Sequence, residues 1–155
     1  MTLSSTRGWE ELEWMLEKKF IVGHDSYFQF TLKFRSKFWD RQQLLTTRIN
    51  ELVEDINCEF SQVNIDQKSL HSWLSFLENL TTQNLTDLKL GTGKEFVLVN
   101  NPGEVFRLTI SDSHQNPGYT IEVDFKRGKT SMNLLVDTDV TCLTNYHSTL
   151  RDLTR

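Results

Sequence analysis

The segment Gly91-Thr92-Gly93-Lys94 contains the residue types of a phosphate site. A phosphate-binding loop needs four residues between its glycines, and a serine or threonine after the lysine to reach Mg²⁺. Here a single residue separates the glycines, and Glu95 follows the lysine. Because that carboxylate would lie where phosphate must bind, the segment predicts a hairpin turn.

Histidine and cysteine are the other residue types that could catalyse a reaction or bind a metal. The histidines show no HxxH or HxxxH spacing that would indicate zinc ligands: His24, His71, His114 and His147. Cys58 and Cys142 form no CxxC pair, and we expect them to be free thiols in the core. No GxSxG-type turn marks a nucleophile beside a base. The sequence therefore predicts no enzyme, no metal site and no cofactor.

Aromatic and acidic side chains between residues 38 and 59 form the best candidate for a binding surface. Two adjacent aromatics fall in a predicted loop, and aromatic residues in loops often anchor interfaces. An acidic run follows them in the sequence. The predicted binding residues are Phe38, Trp39, Asp40, Glu51, Glu54 and Asp55. In the alternative interpretation, Trp39 folds back over the edge of a sheet.

A central helix over about residues 66–80 is predicted to organise the fold. Asp66 is placed to cap its first turn, where a short carboxylate accepts from free backbone N–H groups. One apolar stripe recurs with helical spacing and comprises Leu70, Trp73, Leu74, Leu77 and Leu80. Such a stripe requires a broad apolar surface to cover.

Strand patterns surround this helix. Phe28, Phe30, Leu32 and Phe34 alternate with polar residues, which predicts an antiparallel strand with one solvated face over residues 27–35. Further strands are predicted at 58–65, 85–90, 95–100, 105–111, 119–126 and 132–136. Residues 44–56 fit a helix and a strand equally well. Short turns join the later strands, which indicates a meander.

Two more helices are predicted at the ends of the chain. A short one runs through about Lys19, with Trp14 off its apolar stripe and facing either the core or a partner. The last covers about residues 138–153 and is capped by Asp137 or Asp139. The fold class is α+β, an antiparallel meander packed on the central and C-terminal helices. We predict one domain, 1–155, with 1–23 as a helical extension and 24–155 as the core, and find no internal repeat.

Composition limits the compartment and the partners. The 155 residues are 37% hydrophobic and 25% charged, as in a water-soluble globular protein. The net charge of −4 argues against a nucleic-acid partner, whose binding surface is normally basic. No signal-like segment and no 18-residue apolar stretch occurs, so we expect a cytoplasmic protein with no membrane contact.

The order of elements resembles that of small bacterial immunity proteins of the WapI-like type and related uncharacterised families. The resemblance covers residues 27–153. Its matching segments are Tyr27-Phe28-Gln29-Phe30, Phe38-Trp39-Asp40, Trp73-Leu74-Ser75-Phe76-Leu77-Glu78-Asn79-Leu80 and Leu134-Leu135-Val136-Asp137. It implies strand in part of 44–56 and a protein that works by binding.

These observations lead to a non-enzymatic binding protein, specifically an immunity protein that occludes a cognate toxin. Its acidic balance would suit a basic toxin domain through steered association. One alternative is a structural or regulatory protein that forms a homo-oligomer through the Trp9/Trp14 helix. Another is a small-molecule binder that uses the face of the sheet.

Overall fold

The protein is described by a computed structural model that covers residues 2–4, 10–36, 56–83, 93–112 and 118–155. Four sequence-based assignments fall wholly or partly outside these ranges: the strand 85–90, the hairpin turn that begins with Gly91-Thr92, most of the ambiguous segment 44–56, and the resemblance segment at 38–40. Ile56, the last residue of that ambiguous segment, begins a strand.

Sheet 1 is formed by the first half of the chain. Its strands are β1 (Thr2–Ser4), β2 (Glu10–Val22), β3 (Asp25–Ser36) and β4 (Ile56–Asp66), all antiparallel in the order β1-β2-β3-β4. Helix α1 (Gln67–Gln83) follows β4 directly. The strand predicted at 58–65 and the helix predicted at 66–80 are both confirmed.

Sheet 2 repeats the same arrangement. Its strands are β5 (Lys94–Asn101), β6 (Glu104–Asp112), β7 (Tyr119–Arg127) and β8 (Thr130–Thr138), again antiparallel in sequence order. Helix α2 (Val140–Leu153) follows β8. The α+β class, the meander and the C-terminal helix are therefore confirmed, but the strands form two sheets.

The prediction of an N-terminal helix is wrong, because those residues form β2. Leu12 and Trp14 are fully buried, whereas Met15 between Trp14 and Leu16 is exposed, which is the period of two of a strand. Apolar residues at 12, 15 and 16 also match helical spacing, so the pattern alone was ambiguous. Because β2 pairs with β3 along its whole length, these residues form a strand and not a helix. The predicted helical extension thus belongs to sheet 1.

Each of the two helices in the described residues begins with an aspartate cap. The Asp66 carboxylate accepts from the Ser69 backbone N–H at 2.9 Å and from its hydroxyl at 2.6 Å. Asp139 accepts from the Cys142 backbone N–H at 2.8 Å. These bonds satisfy N–H groups that the first helical turn leaves without partners.

The two helices also share a sequence pattern, which corrects the statement that the chain has no internal repeat. Equivalent residues are 73 positions apart, as are Trp73 and Tyr146. The matched pairs are Asp66 and Asp139, Leu70 and Leu143, Trp73 and Tyr146, Ser75 and Ser148, and Leu77 and Leu150. Both segments read D-x-x-(S/C)-L-x-x-(W/Y)-x-S-x-L, so the fold is a four-strand-plus-helix unit used twice.

Trp14 joins the two units in the core. Its ring centroid lies 5.3 Å from that of Phe30 in sheet 1, 5.4 Å from that of Phe106 in sheet 2 and 6.2 Å from that of Tyr146 in α2. One cluster of buried residues contains side chains from both sheets and both helices. Because Trp14 is buried on a strand, the predicted self-association through a Trp9/Trp14 helix is wrong; Trp9 lies outside the described residues.

Candidate functional site

The binding residues predicted from the sequence lie outside the part of the chain that the structure describes. These residues are Phe38, Trp39, Asp40, Glu51, Glu54 and Asp55. That surface stays a prediction. The candidate site below is built from described residues.

Groups that could carry chemistry are dispersed over the described part of the fold. His24 is exposed in the β2–β3 turn, His71 is exposed on α1, and His147 is buried on α2. Cys58 and Cys142 are half-buried free thiols. Burial, followed by Asp139, raises the pKa of the Cys142 thiol, which lowers its reactivity at neutral pH. Among the described residues, no group of three or more His, Cys, Asp or Glu side chains is placed to hold a metal.

An open groove of about 420 Å³ lies between the β2–β3 turn and the start of α1. Its lining is polar and comprises His24, Asp25, Ser26, Asp66, Gln67, Lys68 and His71. The Asp66 carboxylate already occupies the end of α1 as its cap. An anion would meet this carboxylate, so the groove offers no simple anion site.

The outer face of sheet 1 pairs its own charges. Arg35 Nη2 lies 2.5 Å from Glu13 Oε2, and Arg35 Nη1 lies 3.8 Å from Glu11 Oε2. Lys33 Nζ lies 4.0 Å from Glu59 Oε2 on the neighbouring strand. Each of these carboxylates therefore has a cation within 4.0 Å on its own face.

The outer face of sheet 2 is different. Because Ile121, Val123 and Phe125 turn inward, the alternation of β7 places Glu122 and Asp124 on the outside. Asn133 of β8 donates from Nδ2 to Glu122 Oε1 at 2.9 Å and to Asp124 Oδ1 at 2.6 Å. A neutral amide fixes these two carboxylates without neutralising them, so their negative charge remains available.

Leu135 lies between these polar groups. It is 53% exposed, pairs across the strands with Glu122, and is flanked on β8 by Asn133 and Asp137. Asp137 Oδ1 accepts from the Thr120 hydroxyl at 2.6 Å. We call Glu122, Asp124, Asn133, Leu135 and Asp137 the acidic face. An exposed apolar residue within a polar rim is the usual anatomy of a protein-binding surface.

The predicted strands 119–126 and 132–136 already contained these residues except Asp137, which was predicted as one of two possible caps of the last helix and lies in β8. The two separate strand patterns do not show that the polar positions of both strands lie on one face. The available signal was the period of two: the acidic residues of β7 and β8 fall on the positions between buried ones. Their concentration on one face depends on β7 pairing with β8, which brings Glu122 opposite Leu135 and Asp124 opposite Asn133.

Comparison with known proteins gives little further guidance. No model of a known protein family matches the chain, and no curated protein matches it. Solved structures that resemble it include WHY3 from Arabidopsis thaliana. That match has a TM-score of 0.44 and 9% sequence identity, and covers 99% of this chain and 85% of WHY3. At this level it assigns neither a ligand nor a site to the present chain.

The exclusion of a nucleic-acid partner nevertheless has to be corrected. That exclusion was drawn from the net charge of the whole chain alone. A net charge of −4 averages over all surfaces and does not describe any one of them.

No helix in the described ranges is long and apolar enough to cross a bilayer.

Proposed function

We propose that the protein is a non-enzymatic binding protein that uses the acidic face to bind a basic surface on a partner protein. The observation that carries the proposal is the exposed Leu135 beside Glu122 and Asp124, whose carboxylates accept hydrogen bonds from the neutral Asn133 amide. Among the described residues, no lysine or arginine forms a salt bridge with either carboxylate. Lysine or arginine side chains of a partner would supply the missing cations.

The geometry favours a preorganised interface. Asn133 fixes both carboxylates before binding, which reduces the conformational entropy lost in the complex. The face lies on paired strands, so its backbone is held by the β7–β8 ladder. We expect Leu135 to be the apolar anchor and the carboxylates to steer association, so the rate of association should fall with added salt.

The more specific form of this proposal is an immunity protein that neutralises a basic toxin by occlusion. It is supported by the resemblance in the order of elements and by the acidic face, which would suit a basic nuclease. The predicted residues at 38–55 would then be a second part of the interface.

The test compares the wild-type protein with two variants in a pull-down from the lysate of its own source cells. The face variant is Leu135→Ser with Glu122→Gln. The control variant is Glu59→Gln on the outer face of sheet 1, where Lys33 already compensates the charge. We expect one basic protein with the wild type and the control, and at least a tenfold weaker recovery with the face variant.

The partner is then purified and its affinity measured by calorimetry at two salt concentrations. Equal affinity for the wild type and the face variant would refute the proposed surface. Recovery of nucleic acid in place of a basic protein, unaffected by the face variant, would refute the proposed function. Inhibition of a toxic activity of the partner would establish the immunity role, and its absence would reject that role alone.

A further inference from the structure

The β2–β3 hairpin ends in exposed apolar residues. Ile21 is 69% exposed and Val22 is 59% exposed, more than any other large hydrophobic side chain among the described residues. Both precede Gly23, whose φ of 63° forms the turn. These side chains contribute nothing to the core, so their apolar surface is available for contact with another molecule.

Aromatic and basic side chains support this tip. The rings of Phe20 and Tyr27 stack with centroids 5.4 Å apart and planes 15° apart. Lys18 Nζ lies 5.8 Å from the centroid of the Phe20 ring, and Lys19 Nζ lies 5.2 Å from that of Phe28. We call Lys18, Lys19, Phe20, Ile21, Val22 and Asp25 the hairpin end.

The hairpin end matches the acidic face in polarity and in charge. Because successive residues of β2 point to opposite faces, Val22 lies on the same face as Lys18 and Asp25, and Ile21 lies on the other face with Lys19. Val22 offers an apolar contact for Leu135, and Lys18 offers a cation for Glu122 or Asp124. The charges also match in the opposite sense, because Asp25 beside the tip can meet Arg107, which lies opposite Asp124 on β6.

We propose that the hairpin end of one molecule docks on the acidic face of a second copy. The two surfaces differ, so the contact is heterologous and leaves one free surface of each kind on a dimer. Larger assemblies then grow with concentration unless the rotation closes a ring. Docking between two copies uses the same acidic face as the proposed function but does not need the partner of that function. Self-association and partner binding should therefore exclude each other.

Strand addition along β2 is the other route by which this segment could join two copies. The β1 strand pairs only with residues 11–13 of β2, so the far end of β2 is an edge within the described residues. The register shift between Leu16 and Lys18 and the two consecutive lysines oppose such pairing. Strand addition between two copies of β2 would also be isologous, which the experiment below distinguishes.

The experiment is sedimentation velocity on two variants, alone and mixed. The hairpin variant is Ile21→Ser with Val22→Ser, and the face variant is Leu135→Ser with Glu122→Gln. The matched control is Leu153→Ser, an apolar residue 40% exposed on α2 outside both surfaces. Circular dichroism and thermal unfolding establish that each variant is folded.

We expect the wild type and the control to associate with increasing concentration, and each variant alone to be monomeric or at least tenfold weaker. Because each variant keeps one intact surface, an equimolar mixture should form a one-to-one dimer that does not grow further. A wild type that stays monomeric at all concentrations would overturn the inference. A mixture that stays monomeric would also overturn it.

A labelled single-stranded oligonucleotide tests the hairpin end for a different occupant. Binding that is lost only in the hairpin variant, without self-association of the wild type, would assign the hairpin end to nucleic acid and overturn the inference. The proposed function has its own readout, the basic partner. If the hairpin variant and the wild type bind that partner equally while neither self-associates, the proposed function stands and this inference fails.

Discussion

Trp73 donates its indole N–H to the phenol oxygen of Tyr146 at 3.2 Å, inside the buried contact between α1 and α2. The two residues occupy the same position in their helices, the eighth residue of each capping pattern. The bond therefore joins equivalent positions of the two repeats. Burial raises the pKa of the Tyr146 phenol, and the bond from Trp73 offsets part of that rise. The contact therefore joins the two four-strand-plus-helix units through a polar bond in an apolar core.

Trp73→Ala should lower the free energy of unfolding by about 3–5 kcal/mol, the usual cost of emptying a large aromatic core site. Trp73→Phe keeps a buried aromatic ring but removes the hydrogen bond and part of the packing, at a cost of about 1–3 kcal/mol. Urea unfolding of these variants, of Tyr146→Phe and of the double variant measures the coupling between the two side chains. A loss below about 1 kcal/mol for Trp73→Ala would contradict the packing of α1.

Trp14→Ala should destabilise the protein by about 3–5 kcal/mol, because this side chain contacts both sheets and α2. Met15→Ala is the matched control one residue away, since Met15 is 41% exposed on the opposite face of β2. Its effect should stay within about 0.5 kcal/mol. Thermal unfolding measures both, and equal losses would contradict the strand assignment of β2.

Asp139→Ala should lower stability by about 1 kcal/mol, because the Cys142 backbone N–H loses its acceptor. Asp139→Asn is the matched control, since an asparagine also caps a helix, and it should restore most of the loss. Denaturant unfolding measures the two values. Indistinguishable losses for the two variants would mean that the charge of Asp139, and not its hydrogen bond, stabilises α2.

Stability should fall in acid through His147. Its side chain is buried, and among the described residues its Nε2 atom has no hydrogen-bond partner. Burial and then Arg151 lower the pKa of His147 below its usual 6.5, against the weaker opposing effects of Glu78 on α1 and Asp152 on α2. Above about pH 6.5 the imidazole is neutral in both the folded and the unfolded chain. Below it, the unfolded chain binds the proton more readily, so stability decreases as the pH falls.

The substitution His147→Leu tests this linkage, because leucine occupies the matching position, Leu74, in α1. We expect a gain on the order of 1 kcal/mol at pH 7, from removing a buried polar atom without a partner. The gain should grow between pH 7 and pH 5, as measured by urea unfolding across that range. A gain that is constant with pH would show that His147 does not titrate between the folded and unfolded states.

The capping aspartates, the apolar stripes of both helices and the alternation of the strands after residue 94 are local features, and the sequence predicted each of them. Periodicity with a matching start signal is sufficient where one pattern has no competitor. The repeat was also present as a sequence pattern at fixed spacing. The matched positions are few, namely the capping aspartate, two leucines, one aromatic residue and one serine, and their equivalence becomes visible only because each helix follows a four-stranded sheet.

Other features were decided by the tertiary structure. Residues 10–22 fit a helix and a strand alike, and pairing with β3 together with the burial of Trp14 selected the strand. The division into two sheets depends on contacts between distant segments, which no local pattern encodes. The acidic face likewise exists only because β7 pairs with β8 and brings Glu122 beside Leu135. Local chemistry determined which residues turn outward, and strand pairing determined which of them meet.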